Sequence, residues 1–174
     1  MAPGCPMHIA KQSAARCVTM VPQMSSGGAP VQADQILERK GRVVASIGPE
    51  APVRAALAAL REANVGALVV SADGSVLAGI VSERDIVRQL AVDGAALLDV
   101  PVSSIMKAEV HTCTGSDTVD DLMHRMTEHR IRHLPVVDGD VVVGVISIGD
   151  VVKTHVDDLE QERAQLVDYI RTGR

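Results

Sequence analysis

The chain has 174 residues and a mass of 18.3 kDa, with 47% hydrophobic and 22% charged residues, enough for one compact domain or two very small ones around a buried core. Aromatic residues make up 1%, with Tyr169 alone and no Trp or Phe, so base-stacking platforms and aromatic cages are excluded as binding devices. A net charge of -5 and a pI near 5.6 argue against nucleic acid as the main partner, because a phosphate backbone calls for a basic face.

Three cysteines, Cys5, Cys17 and Cys113, are an odd number without a disulfide spacing, which fits a reducing compartment. No apolar run approaches the ~20 residues a bilayer span needs, and the N-terminus has no signal-type apolar core, so a cytoplasmic location without membrane contact is expected. Residues 1–33 mix Pro, Gly, Ser, Met and Gln without a helical or strand period and read as a tail.

Beyond the tail the sequence matches itself. Val44 falls on Val110, Val53 on Val119, Glu62 on Glu128, Leu68 on Leu134 and Val70 on Val136, all at an offset of 66. The offset then drops to 65, with Gly79 on Gly144, Ser82 on Ser147 and Asp85 on Asp150. The lost residue falls in a turn, so the similarity respects structural units.

Each copy begins with a short strand, near residues 43–47 or 110–113. A helix follows: Val53, Ala56, Leu57 and Leu60 keep the i, i+3, i+4, i+7 spacing, and Val119, Leu122, Met123 and Met126 repeat it. Pro52 suits the first helical turn and Asp117 the N-cap. Two hairpins follow, 67–70 with 76–81 around Asp73-Gly74, and 134–137 with 141–146 around Asp138-Gly139. A short helix closes each copy, near 83–91 and 148–155. Residues 155–172 then form an amphipathic helix with Val156, Leu159, Leu166, Val167 and Ile170 on roughly one face.

The unit is β-α-β-β-α, which cannot cover its own apolar sheet face. The expected α+β fold is therefore two tandem units packed sheet to sheet around a pseudo-twofold axis, plus a C-terminal amphipathic helix. The boundaries read as tail 1–33, first unit 34–98, second unit 99–155 and helix 156–174.

Both copies carry Gly-h-h-Ser-x-x-Asp where a strand runs into a helix, as Gly79-Ile80-Val81-Ser82-Glu83-Arg84-Asp85 and Gly144-Val145-Ile146-Ser147-Ile148-Gly149-Asp150. The second hairpin reads Arg132-His133-Leu134-Pro135-Val136-Val137. With the duplication, these segments resemble a tandem pair of cystathionine-beta-synthase (CBS) domains, a Bateman module, over about residues 36–155. The resemblance implies a stand-alone regulatory module that binds an adenine nucleotide (AMP, ADP, ATP or NAD(H)) in clefts between the repeats and associates as a homodimer. It implies no required cofactor and no catalytic residues.

On that resemblance Asp85 and Asp150 would accept the ribose hydroxyls, and Ser82 and Ser147 would lie near ribose or phosphate. A carboxylate can accept two hydrogen bonds from a vicinal diol, and free N–H groups at a helix N-terminus favour a phosphate. Arg84, Arg132 and His133 would supply positive charge. Thr112 joins the set, and Ile47, Ile80, Val136 and Ile146 would wall the purine. Ser-x-x-Asp is equally a helix capping box, so a ligand-free scaffold is the competing reading. A metal-responsive module using His111, His124, His129 and His133 is a third, although a spacing of five between His124 and His129 does not align two ligands on a helix.

Overall fold

The computed structural model describes residues 30–173. The expected tail lies outside the described residues up to position 29, while its last residue, Ala33, opens a helix, α1 (Ala33–Lys40). The first repeat follows as β1 (Ser46–Ile47), α2 (Val53–Ala63), β2 (Ala67–Val70), β3 (Gly79–Ser82) and α3 (Glu83–Asp93). Two short 3-10 turns, Gly94–Asp99 and Val102–Ser104, lead to the second repeat, α4 (Val119–Glu128), β4 (His133–Asp138), β5 (Val141–Ser147) and α5 (Ile148–Thr172). The first sheet has the order β1-β2-β3, with β1 parallel and β3 antiparallel to β2; β4 and β5 form an antiparallel pair.

Local chemistry explains the boundaries. The cap of α4 lies one residue after the expected one: Thr118 accepts the Asp121 N–H while Asp121 accepts the Thr118 N–H, and Asp117 instead accepts from Thr114 N–H at 2.7 Å. Pro52 is itself the N-cap of α2 rather than a first-turn residue. The strand expected at 76–81 begins only at Gly79, because Asp73 Oδ1 accepts the Ser75 and Val76 N–H groups and holds 71–76 in a turn. The strand expected at 110–113 shrinks to one parallel bridge between Cys113 and Val136. The two helices expected at 148–155 and 156–174 are one continuous α5, since nothing between them interrupts helical hydrogen bonding.

The pseudo-twofold axis is visible in the contacts. Val76 and Val141, equivalent residues of the two repeats, form an antiparallel bridge with each other, and Val142 N–H donates to the Ser75 carbonyl at 3.0 Å. At the other end of the hairpins the His133 imidazole lies against Gly66, where an added Cβ would come within 3.2 Å of it. Contacts between equivalent positions are what an axis between two copies requires.

Each repeat has its own core, and the segments that complete the cores are crossed. Val53, Ala56, Leu60, Leu68, Val70, Val81 and Ile86 pack with Leu97 and Val102 of the following segment. The second core of Leu122, Met126, Leu134, Val136, Ile146 and Val151 takes Ala33, Ile36 and Leu37 from α1, which precedes the first repeat. The assignment of 34–98 to the first unit thus meets a helix that buries its apolar face in the second. Asp34 N–H and Ala33 N–H bond to the Gly115 and Asp117 carbonyls at 2.9 Å, which pins its start there.

This crossing explains the glycine that opens each motif. A Cβ at Gly79 would lie 2.8 Å from the Lys107 carbonyl oxygen and the Met106 sulfur, and one at Gly144 would lie 2.6 Å from Leu37 Cδ2. Close approach of the covering segment, not backbone freedom, demands glycine at both places.

Candidate functional site

The two motifs adopt one geometry. β3 ends at Ser82, whose hydroxyl and N–H donate to Asp85 Oδ2, while the Asp85 N–H donates back to the Ser82 hydroxyl. In the second repeat, Ser147 N–H and O–H donate to Asp150 Oδ2 at 2.8 and 2.7 Å, and the Asp150 N–H returns to the Ser147 hydroxyl at 3.3 Å. Both are complete capping boxes. The first helical N–H of each is taken as well: Glu83 N–H donates to Gly66 and Ile148 N–H to Arg132, both at the backbone carbonyl. The helix starts therefore have fewer free donors for a phosphate than the sequence implies.

Each motif aspartate also has a lysine that sequence reasoning misses. Lys107 Nζ lies 3.1 Å from Asp85 Oδ1, and Lys40 Nζ lies 2.6 Å from Asp150 Oδ2. Lys107 is held by a two-way backbone bridge to Ile80, and Lys40 closes α1. The pairing is crossed like the cores, since Lys40 precedes the first repeat but serves the second. Both lysines occupy the few residues ahead of a repeat's first strand, a position no spacing rule ties to the distant aspartate.

The aspartates do not face bulk water: the Asp85 side chain is 11% exposed and that of Asp150 26%. Burial pushes the Asp85 carboxyl up, but hydrogen bonds from Ser82 and the Lys107 charge outweigh it and hold it below the ordinary carboxylate range. Asp150 behaves likewise, with burial opposed by Lys40 and Ser147. The His133 imidazole is held below its ordinary pKa, first by burial and then by the Lys40 charge.

The other expected site residues divide. Strand alternation puts Gly79 and Val81 into the first core and turns Ile80 and Ser82 away from it, so Ile80 shares the face of Ser82. The same alternation corrects the second repeat: Val136 and Ile146 are fully buried core residues and cannot wall a cleft. The residue equivalent to Ile80 is Val145, half-buried on the Ser147 face, and the repeat offset alone would have found it. Ile47 is half-buried against the first core. Arg84 and Arg132 are both exposed.

Thr112 does not join the motif residues. Its carbonyl accepts from Arg125 at 2.6 Å, and it lines a separate cavity of about 440 Å³ with His111, Asp121, His124, Glu128 and His129. There the His111 and His129 rings stack at 3.9 Å and His124 approaches Glu128 at 3.7 Å, while His133 sits at the inter-repeat contact. Among the described residues no group of three or more His, Cys, Asp and Glu side chains is placed to hold a metal ion, which removes support from the metal-responsive reading. Cys113 is buried and its thiol is pushed up to about 12, first by burial and then by Asp117, so it is a core residue and not a nucleophile.

Two repeats related by a local twofold, β-α-β-β-α and a second whose first strand is reduced to the Cys113 bridge, each with a capped Gly-h-h-Ser-x-x-Asp strand exit, define the class: a tandem regulatory module of the Bateman type. The chain belongs to the CBS domain family, which matches residues 41–92 and 102–157. It is 39% identical over 122 residues to the mitochondrial CBS domain-containing protein CBSX3 of Arabidopsis thaliana, covering 68% of this chain and 59% of that protein's length. Among solved structures it resembles a CBS-domain containing protein from Agrobacterium tumefaciens, with 43% identity, TM-score 0.69 and coverage of 71% of this chain and 98% of that one. A Methanocaldococcus jannaschii protein, described as a putative archaeal homologue of γ-AMPK, aligns at 26% identity and TM-score 0.60 over 66% of this chain and 45% of that one. No helix among the described residues is long and apolar enough to cross a membrane.

Proposed function

We propose that this chain is a regulatory sensor that binds a phosphorylated adenosine ligand (AMP, ADP, ATP or NAD(H)) beside the two strand exits and passes on the bound state as a homodimer in the cytoplasm. The observation that carries this reading is the paired placement of Asp85 with Lys107 and Asp150 with Lys40, a diol acceptor beside a cation in each repeat. Ser82, Ser147 and His133 adjoin the carboxylates, Ile80 and Val145 offer the aliphatic wall, and Arg84 and Arg132 lie at the rim.

The two sites are not equal. Both oxygens of Asp85 are engaged, Oδ2 by the cap and Oδ1 by Lys107, whereas the cap and Lys40 converge on Oδ2 of Asp150. Asp150 is also the more exposed, so the second repeat is the primary site. The complete capping boxes favour one other reading, a ligand-free scaffold in which the aspartates only hold helices.

Thermal unfolding with a nucleotide panel separates the two. A ligand at 100 times its Kd adds about 2.7 kcal/mol, which at about 2–4 °C per kcal/mol raises Tm by roughly 5–11 °C. Asp150→Ala is expected to remove most of that shift and Asp85→Ala with Asp150→Ala all of it, beyond the ~1 kcal/mol that each lost cap removes from the unliganded protein. No shift with any nucleotide at millimolar concentration overturns the sensor and leaves the scaffold.

A further inference from the structure

The first turns of α5 bury Val151 and Thr154, but every residue from Leu159 to Thr172 is exposed. A helix of that length is marginal in water when nothing packs on it, because its nucleation cost is repaid only by tertiary contacts. The apolar residues it exposes are ordered. Val152, Val156, Leu159, Arg163, Leu166 and Ile170 follow one another at steps of four, three, four, three and four, a heptad seam with Arg163 as its single charged member. Val152 is 48% exposed, Val156 46%, Leu159 51%, Leu166 64% and Ile170 78%, so from Val156 onward exposure of the seam grows as the arm leaves the globule.

We infer that this arm pairs with the same arm of a second copy as a parallel, in-register two-stranded coiled coil from Val152 to Ile170. The inference deepens and rests on the homodimer reading above. With Val156, Arg163 and Ile170 at the a positions, and Val152, Leu159 and Leu166 at d, the β-branched pair Val156 and Ile170 at a and the pair Leu159 and Leu166 at d are what favours two parallel strands. A lone charged a residue fixes register at some cost in stability.

The flanking charges agree. In the parallel register Arg163 of one copy lies beside Glu162 at g of the other. An antiparallel pairing that aligns the same apolar layers sets Glu160 against Glu160 and Glu162 against Glu162. The seam is about 27 Å long at 1.5 Å per residue and continues from turns already anchored on the second repeat, so it holds the two globules side by side at its N-terminal end.

The test is sedimentation equilibrium of the full chain beside a Leu159→Asp, Leu166→Asp double variant. Both changes are at exposed positions, so the globular fold survives, which its Tm verifies. The wild type is expected at twice the 18.3 kDa chain mass, and the variant's dimer dissociation constant is expected to rise tenfold or more. A monomeric wild type overturns both this inference and the homodimer reading; a dimer weakened less than tenfold overturns the arm pairing alone. Orientation is read from Leu166→Cys in a Cys5→Ser, Cys17→Ser background. Mild oxidation is expected to give a covalent dimer there and none with Asp168→Cys. In the antiparallel register position 166 faces 156, about 15 Å from its twin and too far for a disulfide, so absence of the Leu166→Cys cross-link overturns the parallel arrangement.

Discussion

The crossed cover of the second repeat can be measured as an energy at one contact. Leu37, on α1, is fully buried, and its two methyl groups lie 2.6 and 2.7 Å from where a Cβ on Gly144 would sit. Carbon atoms pack best at ~3.5–4.0 Å, so Gly144→Ala drives the new methyl about 1 Å into both of them. Overpacking of this kind costs about 1–3 kcal/mol. Leu37→Ala alone removes three carbons from the core, at about 2–5 kcal/mol, and leaves a cavity beside Gly144. In the double variant the methyl introduced by Gly144→Ala occupies that cavity, so the combined loss is expected to fall short of the sum by about 1–3 kcal/mol. Urea unfolding followed by far-UV circular dichroism suits a chain with no Trp, and a domain stability of ~5–15 kcal/mol leaves each single variant folded enough to measure. Strict additivity, or a Leu37→Ala cost below ~0.5 kcal/mol, refutes the placement of α1 on β5. The consequence reaches the site, because α1 ends at Lys40, and loosening the helix loosens the cation on Asp150.

Two further outcomes follow from the ionisation of buried groups. Because the folded state lowers the His133 pKa, the unfolded chain takes up its proton first, and stability falls as pH drops through about 6.5. His133→Gln is expected to flatten the unfolding free energy between about pH 7 and 5, with Lys40, Asp150, Glu83 and Arg132 as the charges around the ring; identical slopes in the two proteins reject this. Asp85 and Asp150 contribute stability above about pH 4 that is lost as pH falls through their depressed folded values, so Asp150→Asn narrows the acid loss in the same titration. The Cys113 thiol, raised to about 12, is expected to react with a disulfide reagent at about pH 8 roughly a thousandfold more slowly than an unfolded cysteine, in a Cys5→Ser, Cys17→Ser background. Native labelling at the unfolded rate rejects the core assignment.

The duplication made most of the fold legible, because hydrophobic period and repeat offset agree wherever packing is local to one repeat. Val53, Ala56 and Leu60 and their partners Val119, Leu122 and Met126 are buried as their spacing implies. Elsewhere long-range contacts decide. Residues 33–40 carry a clear amphipathic face, but nothing local says that it belongs to the core of the later repeat. Hydrophobicity alone selects Ile146 as a cleft wall, and the one-residue difference from Val145 puts it on the opposite face of the strand. Ser-x-x-Asp is legible both as a cap and as a ligand motif, and the geometry fills the cap in both repeats.

Filling the cap leaves a specific way for a ligand to act. A sugar diol that bonds to Oδ1 of Asp150 draws on the same carboxylate whose Oδ2 holds the cap and Lys40, and so weakens the lysine's hold. Lys40 ends the helix that buries Leu37 in the second repeat, and the chain runs from it within six residues to β1 of the first. Lys107 stands in the mirrored position, bridged to Ile80 of the first repeat and leading into the second. Each carboxylate is thus tied to the segment that enters the other repeat. Ligand binding can bias the arrangement of the repeats only by the difference in affinity between two arrangements, and a lysine whose pairing with the carboxylate is weakened more in one than in the other is a source of that difference.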